Sequence, residues 1–97
     1  MKFVYRPSIK FDLLDAVDYY KSINPNLARQ FLLRVKQAKN AIAQNPLHYS
    51  LKYKNVRTIL LKQFPYHIHF AIIDENLIVV YAIICAFKKP TDFSNRY

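Results

Sequence analysis

The first half of the chain carries one short alternating stretch and two apolar stripes with helical spacing. Lys2 to Arg6 alternates in polarity, which predicts a short strand. Two stripes with steps of three and four residues follow it and predict two helices. Their members are Ile9, Leu13, Ala16, Val17 and Tyr20 in the first helix, and Ala28, Phe31, Val35, Ala38 and Ile42 in the second. Asn24-Pro25 supplies a cap and a first helical residue, and the short connection predicts an antiparallel helical hairpin.

The second half contains three strand-like runs joined by short turns. The runs are Asn55 to Phe64, His67 to Ile73 and Leu77 to Phe87. Phe64-Pro65-Tyr66 and Asp74-Glu75-Asn76 are short enough for hairpins, so we expect neighbouring antiparallel strands. The last run is apolar on both faces, which predicts a central strand. We therefore expect a single α+β domain over residues 1–97: a strand, an antiparallel helical hairpin, then three antiparallel strands in one small sheet.

The charge of the chain is strongly one-sided. The chain has 15 Lys and Arg residues and six Asp and Glu residues, which gives a net charge of +9. From Tyr19 to Ile73 there are nine cations and no acidic residue at all. A field of this sign attracts phosphates, anionic lipids or an acidic protein. The composition therefore predicts an anionic partner or target.

Composition also excludes several classes of site. Glycine is absent, so P-loop and dinucleotide-binding fingerprints are excluded. The single Cys85 excludes an internal disulfide and favours the reducing cytoplasm. We expect no signal peptide and no membrane association, because the longest apolar run has 11 residues and a bilayer needs about 20. No His, Cys, Asp or Glu set has metal-ligand spacing, and we expect neither a metal nor another cofactor.

Several segments, taken in order, resemble the RelE/ParE superfamily of bacterial type II toxins. They are YY, NPNLARQFL, QNP, VR, FPY, HIHFAI, VVYAIICAFKKP and DFSNR, which together cover nearly the whole chain. The resemblance implies a compact toxin encoded beside a cognate antitoxin, which wraps it in a hetero-oligomer and blocks its active surface. Known members of the superfamily either cut mRNA, usually on the ribosome, or poison DNA gyrase without cutting RNA.

The resemblance also marks individual residues. Arg57 stands where many members have an arginine on the second strand. The histidine that commonly ends the last strand is replaced by Cys85, and the basic residue that follows it is matched by Lys88. Arg96 matches a frequent terminal arginine, and Tyr97 is the candidate for the C-terminal tyrosine of the RNA-cutting branch.

Cleavage of RNA without a metal needs a base, an acid and cations around the phosphate. His67 is the candidate acid or base, because its ordinary pKa suits either role, and it stands where the RNA-cutting branch often has an arginine. Arg57 and Lys88 complete the predicted catalytic set. Predicted contacts to nucleic acid or another target are made by Lys62, Lys89, Arg96 and Tyr97. We expect Lys62, His67 and Lys88 to lie together at one end of the sheet, whereas a structural role for Arg57 remains an alternative.

Three functions stay open at this point. The basic residues around His67 favour a metal-independent, ribosome-associated mRNA endonuclease. The loss of the usual histidine and arginine at Cys85 and Lys88 favours a toxin that binds and poisons DNA gyrase. A chain that has lost toxicity and survives as an antitoxin-binding module is the third.

Overall fold

A computed structural model of the chain describes residues 1–87. Strand β1 (Lys2–Tyr5) precedes helices α1 (Ser8–Ile23) and α2 (Pro25–Gln44), and a short 3₁₀ helix (Pro46–His48) follows. Strands β2 (Leu51–Tyr53), β3 (Val56–Leu60), β4 (Tyr66–Asp74) and β5 (Leu77–Cys85) complete the described part. The α+β class and the predicted order of elements are confirmed.

The helices form where the apolar stripes predict them. Asn24 caps α2 by accepting a hydrogen bond from the Asn26 backbone N–H at 2.8 Å, and Pro25 needs no N–H at the first helical position. The buried face of α2 contains Phe31 and Ile42, both fully buried. The two helices pack against each other and against one face of the sheet.

The sheet has the order β1-β5-β4-β3-β2. Strand β1 pairs in parallel with β5, and the other pairs are antiparallel. The predicted central position of the last strand is confirmed, because β5 lies between β1 and β4. The sheet has one strand more than predicted: β2 forms in the polar, aromatic segment before β3 and has only three residues, none of them buried.

Strand β3 ends at Leu60 rather than at Phe64. Leu61 and Phe64 turn inward instead, with only 3% and 5% of their surface exposed. The Leu61 N–H donates to the Tyr66 carbonyl at 2.9 Å and closes the loop between them. The predicted hairpin between β3 and β4 therefore exists, but its connection is longer than the Phe64-Pro65-Tyr66 turn.

Candidate functional site

Strand β4 divides its side chains between two environments. Ile68 and Phe70 face the helices and belong to the hydrophobic core. Since successive side chains of a strand point to opposite faces, His67 and His69 lie on the face turned away from the helices. In the register of β3 and β4, Leu60 pairs with His67 and Thr58 with His69.

A polar cluster occupies this second face, and we call it the His face: Lys52, Tyr53, Thr58, His67 and His69. The Tyr53 hydroxyl lies 2.8 Å from Nδ1 of His69. The rings of His67 and His69 are edge to face, with centroids 6.4 Å apart. His69 is buried, with 5% of its surface exposed, whereas His67 is half-buried. A buried imidazole held by a phenol thus lies beside a more accessible one.

The pKa of His67 is lowered from its ordinary value of 6.5. Burial is the larger cause because it disfavours the imidazolium, and the charge of Lys52 is the second. A lowered pKa keeps this imidazole neutral at pH 7. A neutral imidazole can accept a proton, so its chemistry suits a general base.

Arg57 lies on the opposite face from His67. It pairs with Phe70, and paired residues of neighbouring strands project to the same side of a sheet. One Nη of Arg57 donates to the Tyr49 backbone carbonyl at 2.5 Å, and the Tyr49 ring packs edge-on to Phe70 with centroids 6.0 Å apart. Arg57 therefore ties the segment after the 3₁₀ helix to the helix-facing side of β3.

Of the remaining predicted site residues, Lys62 is the one within the described residues. Lys62 lines a groove between α2 and β3 that also contains Arg34 and Tyr49, and the cation whose charge acts on the pKa of His67 is Lys52. Four predicted residues lie outside the described residues: Lys88, Lys89, Arg96 and Tyr97.

The Phe64-Pro65-Tyr66 turn belongs to an aromatic cluster rather than to an exposed edge. Phe64 and Tyr66 pack edge-on to Phe31, with centroids 5.3 and 5.1 Å away, and Tyr20 contacts all three rings. Burial, followed by the effect of Tyr20, raises the pKa of Tyr66 to about 12. The Tyr66 hydroxyl therefore stays protonated at neutral pH. The ring contacts of Phe64 and Tyr66 with Tyr20 and Phe31 hold the turn against the helices.

Sequence reasoning missed Lys52, Tyr53 and Thr58 of the His face. Lys52 and Tyr53 belong to β2, a strand of only three residues with no buried side chain. A usable signal was the alternation of Lys52 and Lys54 around Tyr53 just before the Val56 strand. It identifies a short exposed edge strand carrying cations.

Within residues 1–87, no group of three or more His, Cys, Asp and Glu could hold a metal ion. Among the helices of this range, none is long and apolar enough to cross a bilayer.

The chain matches a known protein family in sequence and a solved structure in fold. Residues 3–87 match the family described as ParE toxin of type II toxin-antitoxin system, parDE. The fold is similar to a solved structure described as the chromosomal ParDE TA system from P. aeruginosa, with a TM-score of 0.74. That match has 19% sequence identity and covers 88% of this chain and 95% of the other. A search among curated proteins found no match.

Proposed function

The chain belongs to the ParE toxin family of type II toxin-antitoxin systems, and from this membership we propose that it inhibits bacterial growth until a cognate antitoxin covers it. The net charge of +9 suits a partner of opposite charge. The proposed resting state is a toxin-antitoxin hetero-oligomer in the cytoplasm.

The target that we propose is DNA gyrase, which the toxin binds without cutting RNA. The observation that carries this choice is the separation of Arg57 from His67 by the two faces of the sheet. Cleavage of RNA without a metal requires a base and phosphate-stabilising cations around one phosphate. Arg57 donates to the Tyr49 carbonyl on the helix-facing side, which supports a bracing role and leaves two of the three predicted catalytic residues, Arg57 and His67, on opposite faces.

The experiment combines growth, supercoiling and RNA readouts. Expression of the full chain without an antitoxin should arrest growth, and saturating purified toxin should block supercoiling of relaxed plasmid by gyrase. His67→Ala should leave both effects in place. Normal supercoiling at saturating toxin would contradict the gyrase proposal. Unimpaired growth would indicate a chain that has lost toxicity and only binds its antitoxin.

A second candidate function is supported by the His face. The neutral imidazole of His67 lies near Lys52, and His69 is held by Tyr53. With a phosphate at this position, His67 would act as the general base and Lys52 would stabilise the charge, as in a metal-independent mRNA endonuclease. Purified toxin added to translating ribosomes would then cut mRNA, and His67→Ala would abolish cutting while ribosome binding is retained.

A further inference from the structure

The groove between α2 and β3 lies apart from the His face and combines cations with an apolar wall. Its volume is about 370 Å³, within the range of small-molecule sites. Arg34, Gln37 and Lys62 form its polar part, and the apolar part consists of Ala38, Ala41, Tyr49, Ile59 and Leu60. The groove lining therefore combines cationic, amide and apolar side chains.

Arg34 is held in place by neutral side chains. Its Nε donates to the Gln63 side-chain oxygen at 3.2 Å, and one Nη donates to the Gln37 side-chain oxygen at 3.0 Å. The Gln63 amide nitrogen donates in turn to Gln30. Amides orient the guanidinium without cancelling its charge, so a positioned positive charge remains available to an anion.

A second cation lies on the same groove. Lys62 is exposed and lines the polar region. It precedes Gln63, whose backbone has a φ of 74°, in the left-handed region that a non-glycine residue adopts only at a cost. Among residues 1–87, none that lines the groove is acidic, and no acidic residue occurs between Tyr19 and Ile73. Gln63 in this turn thus orients Arg34 on the groove that Lys62 also lines, with no carboxylate among the described lining residues.

We propose that the α2–β3 groove binds the phosphate of a nucleotide. Arg34 and Lys62 contact the phosphate, because a guanidinium fork and an ammonium are the side chains that bind this group best. The nucleoside lies against Tyr49 and Ile59 in the apolar region. The nucleotide is either a free mononucleotide or the 5′-terminal nucleotide of a nucleic-acid strand. This site does not depend on the proposed gyrase target.

The test is a titration of the full chain with adenosine monophosphate and, separately, with a short 5′-phosphorylated oligonucleotide. NMR chemical shifts of the protein measure the binding in each titration. Arg34→Gln and Lys62→Gln should each weaken binding by about tenfold or more, the loss expected for a charged hydrogen bond. Lys36→Gln is the matched control: Lys36 lies on the same helix and the charge change is identical, but it lines a different groove. This variant should bind within about twofold of the wild type, the change expected of an uninvolved surface charge.

The probes distinguish the two sources of nucleotide. Equal binding of both probes indicates the free mononucleotide, and a strand end is indicated if the oligonucleotide binds more tightly and loses that advantage in Arg34→Gln but not in Lys36→Gln. Absence of binding for both probes would overturn the proposal. It would also be overturned if Lys36→Gln weakened binding as much as Arg34→Gln, since the general field of the protein would then explain the affinity. Lys62 is exposed, so its variant tests the site even if Arg34→Gln unfolds the chain.

Discussion

At the scale of single residues, His67 is the group whose chemistry depends most on its surroundings. Its imidazole is half-buried in β4, and both burial and the charge of Lys52 oppose its protonation. These two causes respond differently to experiment, because a neighbouring charge can be removed without changing the burial. The environment of His67 can therefore be separated into its parts.

Replacement of Lys52 by Gln should raise the pKa of His67, although not to its ordinary value, because burial is the larger cause and remains. An NMR titration of the His67 ring protons measures this directly. Lys54→Gln makes the same charge change in the adjacent turn and should have the smaller effect. An unchanged His67 pKa in Lys52→Gln would contradict the assigned contact.

The lowered pKa of His67 also makes stability depend on pH. The unfolded chain protonates this imidazole near its ordinary value of 6.5 and the folded chain only below it. As the pH falls through 6.5, the unfolded state therefore binds more protons and the free energy of unfolding decreases. Denaturant unfolding from about pH 7.5 to 5 should show a smaller loss of stability in His67→Gln than in the wild type. Parallel curves for the two proteins would refute this linkage.

Only part of the candidate site could be predicted from the sequence, because the sequence does not fix the pairing register of the strands. Residue type and family resemblance identify Arg57 and His67 as chemically important. Whether they share a face depends on the length of the loop between their strands, and Leu61 and Phe64 turn into the core there instead of extending β3. Arg34 was missed because only the fold brings α2 beside the loop containing Lys62.

At the scale of elements, the absence of glycine shapes the turns. Two non-glycine residues adopt positive φ in the described residues, Lys54 at 47° and Gln63 at 74°. Lys54 and Asn55 form the two-residue connection between β2 and β3, where a positive φ at the first position favours glycine. Each such residue has its Cβ close to the following carbonyl, which costs about 1–2 kcal/mol.

Lys54→Gly should stabilise the protein by about 0.5–1 kcal/mol, because removal of the Cβ relieves the left-handed strain and outweighs the extra backbone entropy of glycine. Lys54→Ala is the control: it removes the same exposed side chain but keeps the Cβ, so it should bring no gain. Equilibrium denaturation with urea measures both. Equal stabilities for the two variants would show that this turn is not strained.

Element type followed from periodicity wherever an element has a buried face. The stripes of α1 and α2 and the apolar run of β5 have such faces, and the structure contains all three. Strand β2 has three residues and none that is buried, so its formation depends on pairing with β3 and not on its own pattern. Short edge strands of this kind are decided by tertiary context.

At the scale of the whole molecule, the dominant feature is an excess of positive charge. The net charge is +9, and the stretch from Tyr19 to Ile73 contains nine cations and no acidic residue. Folding brings α2, β2 and β3 together, and with them most of these cations. Self-repulsion of this kind destabilises the compact state while it attracts anionic partners. The charge that suits binding should therefore reduce the stability of the free toxin.

Salt should consequently stabilise the free protein. Between about 0.01 and 0.15 M ionic strength the Debye length falls from about 30 to about 8 Å, which screens repulsion between cations on different elements. We expect a rise of about 1 kcal/mol in the free energy of unfolding, or roughly 4–8 °C in Tm for a domain of this size. Thermal unfolding in KCl measures the change. A variant with Lys36→Glu and Lys54→Glu, each of which lowers the net charge by two so that +9 becomes +5, should respond less to salt. If its response equals that of the wild type, repulsion between these cations is not the source of the salt effect.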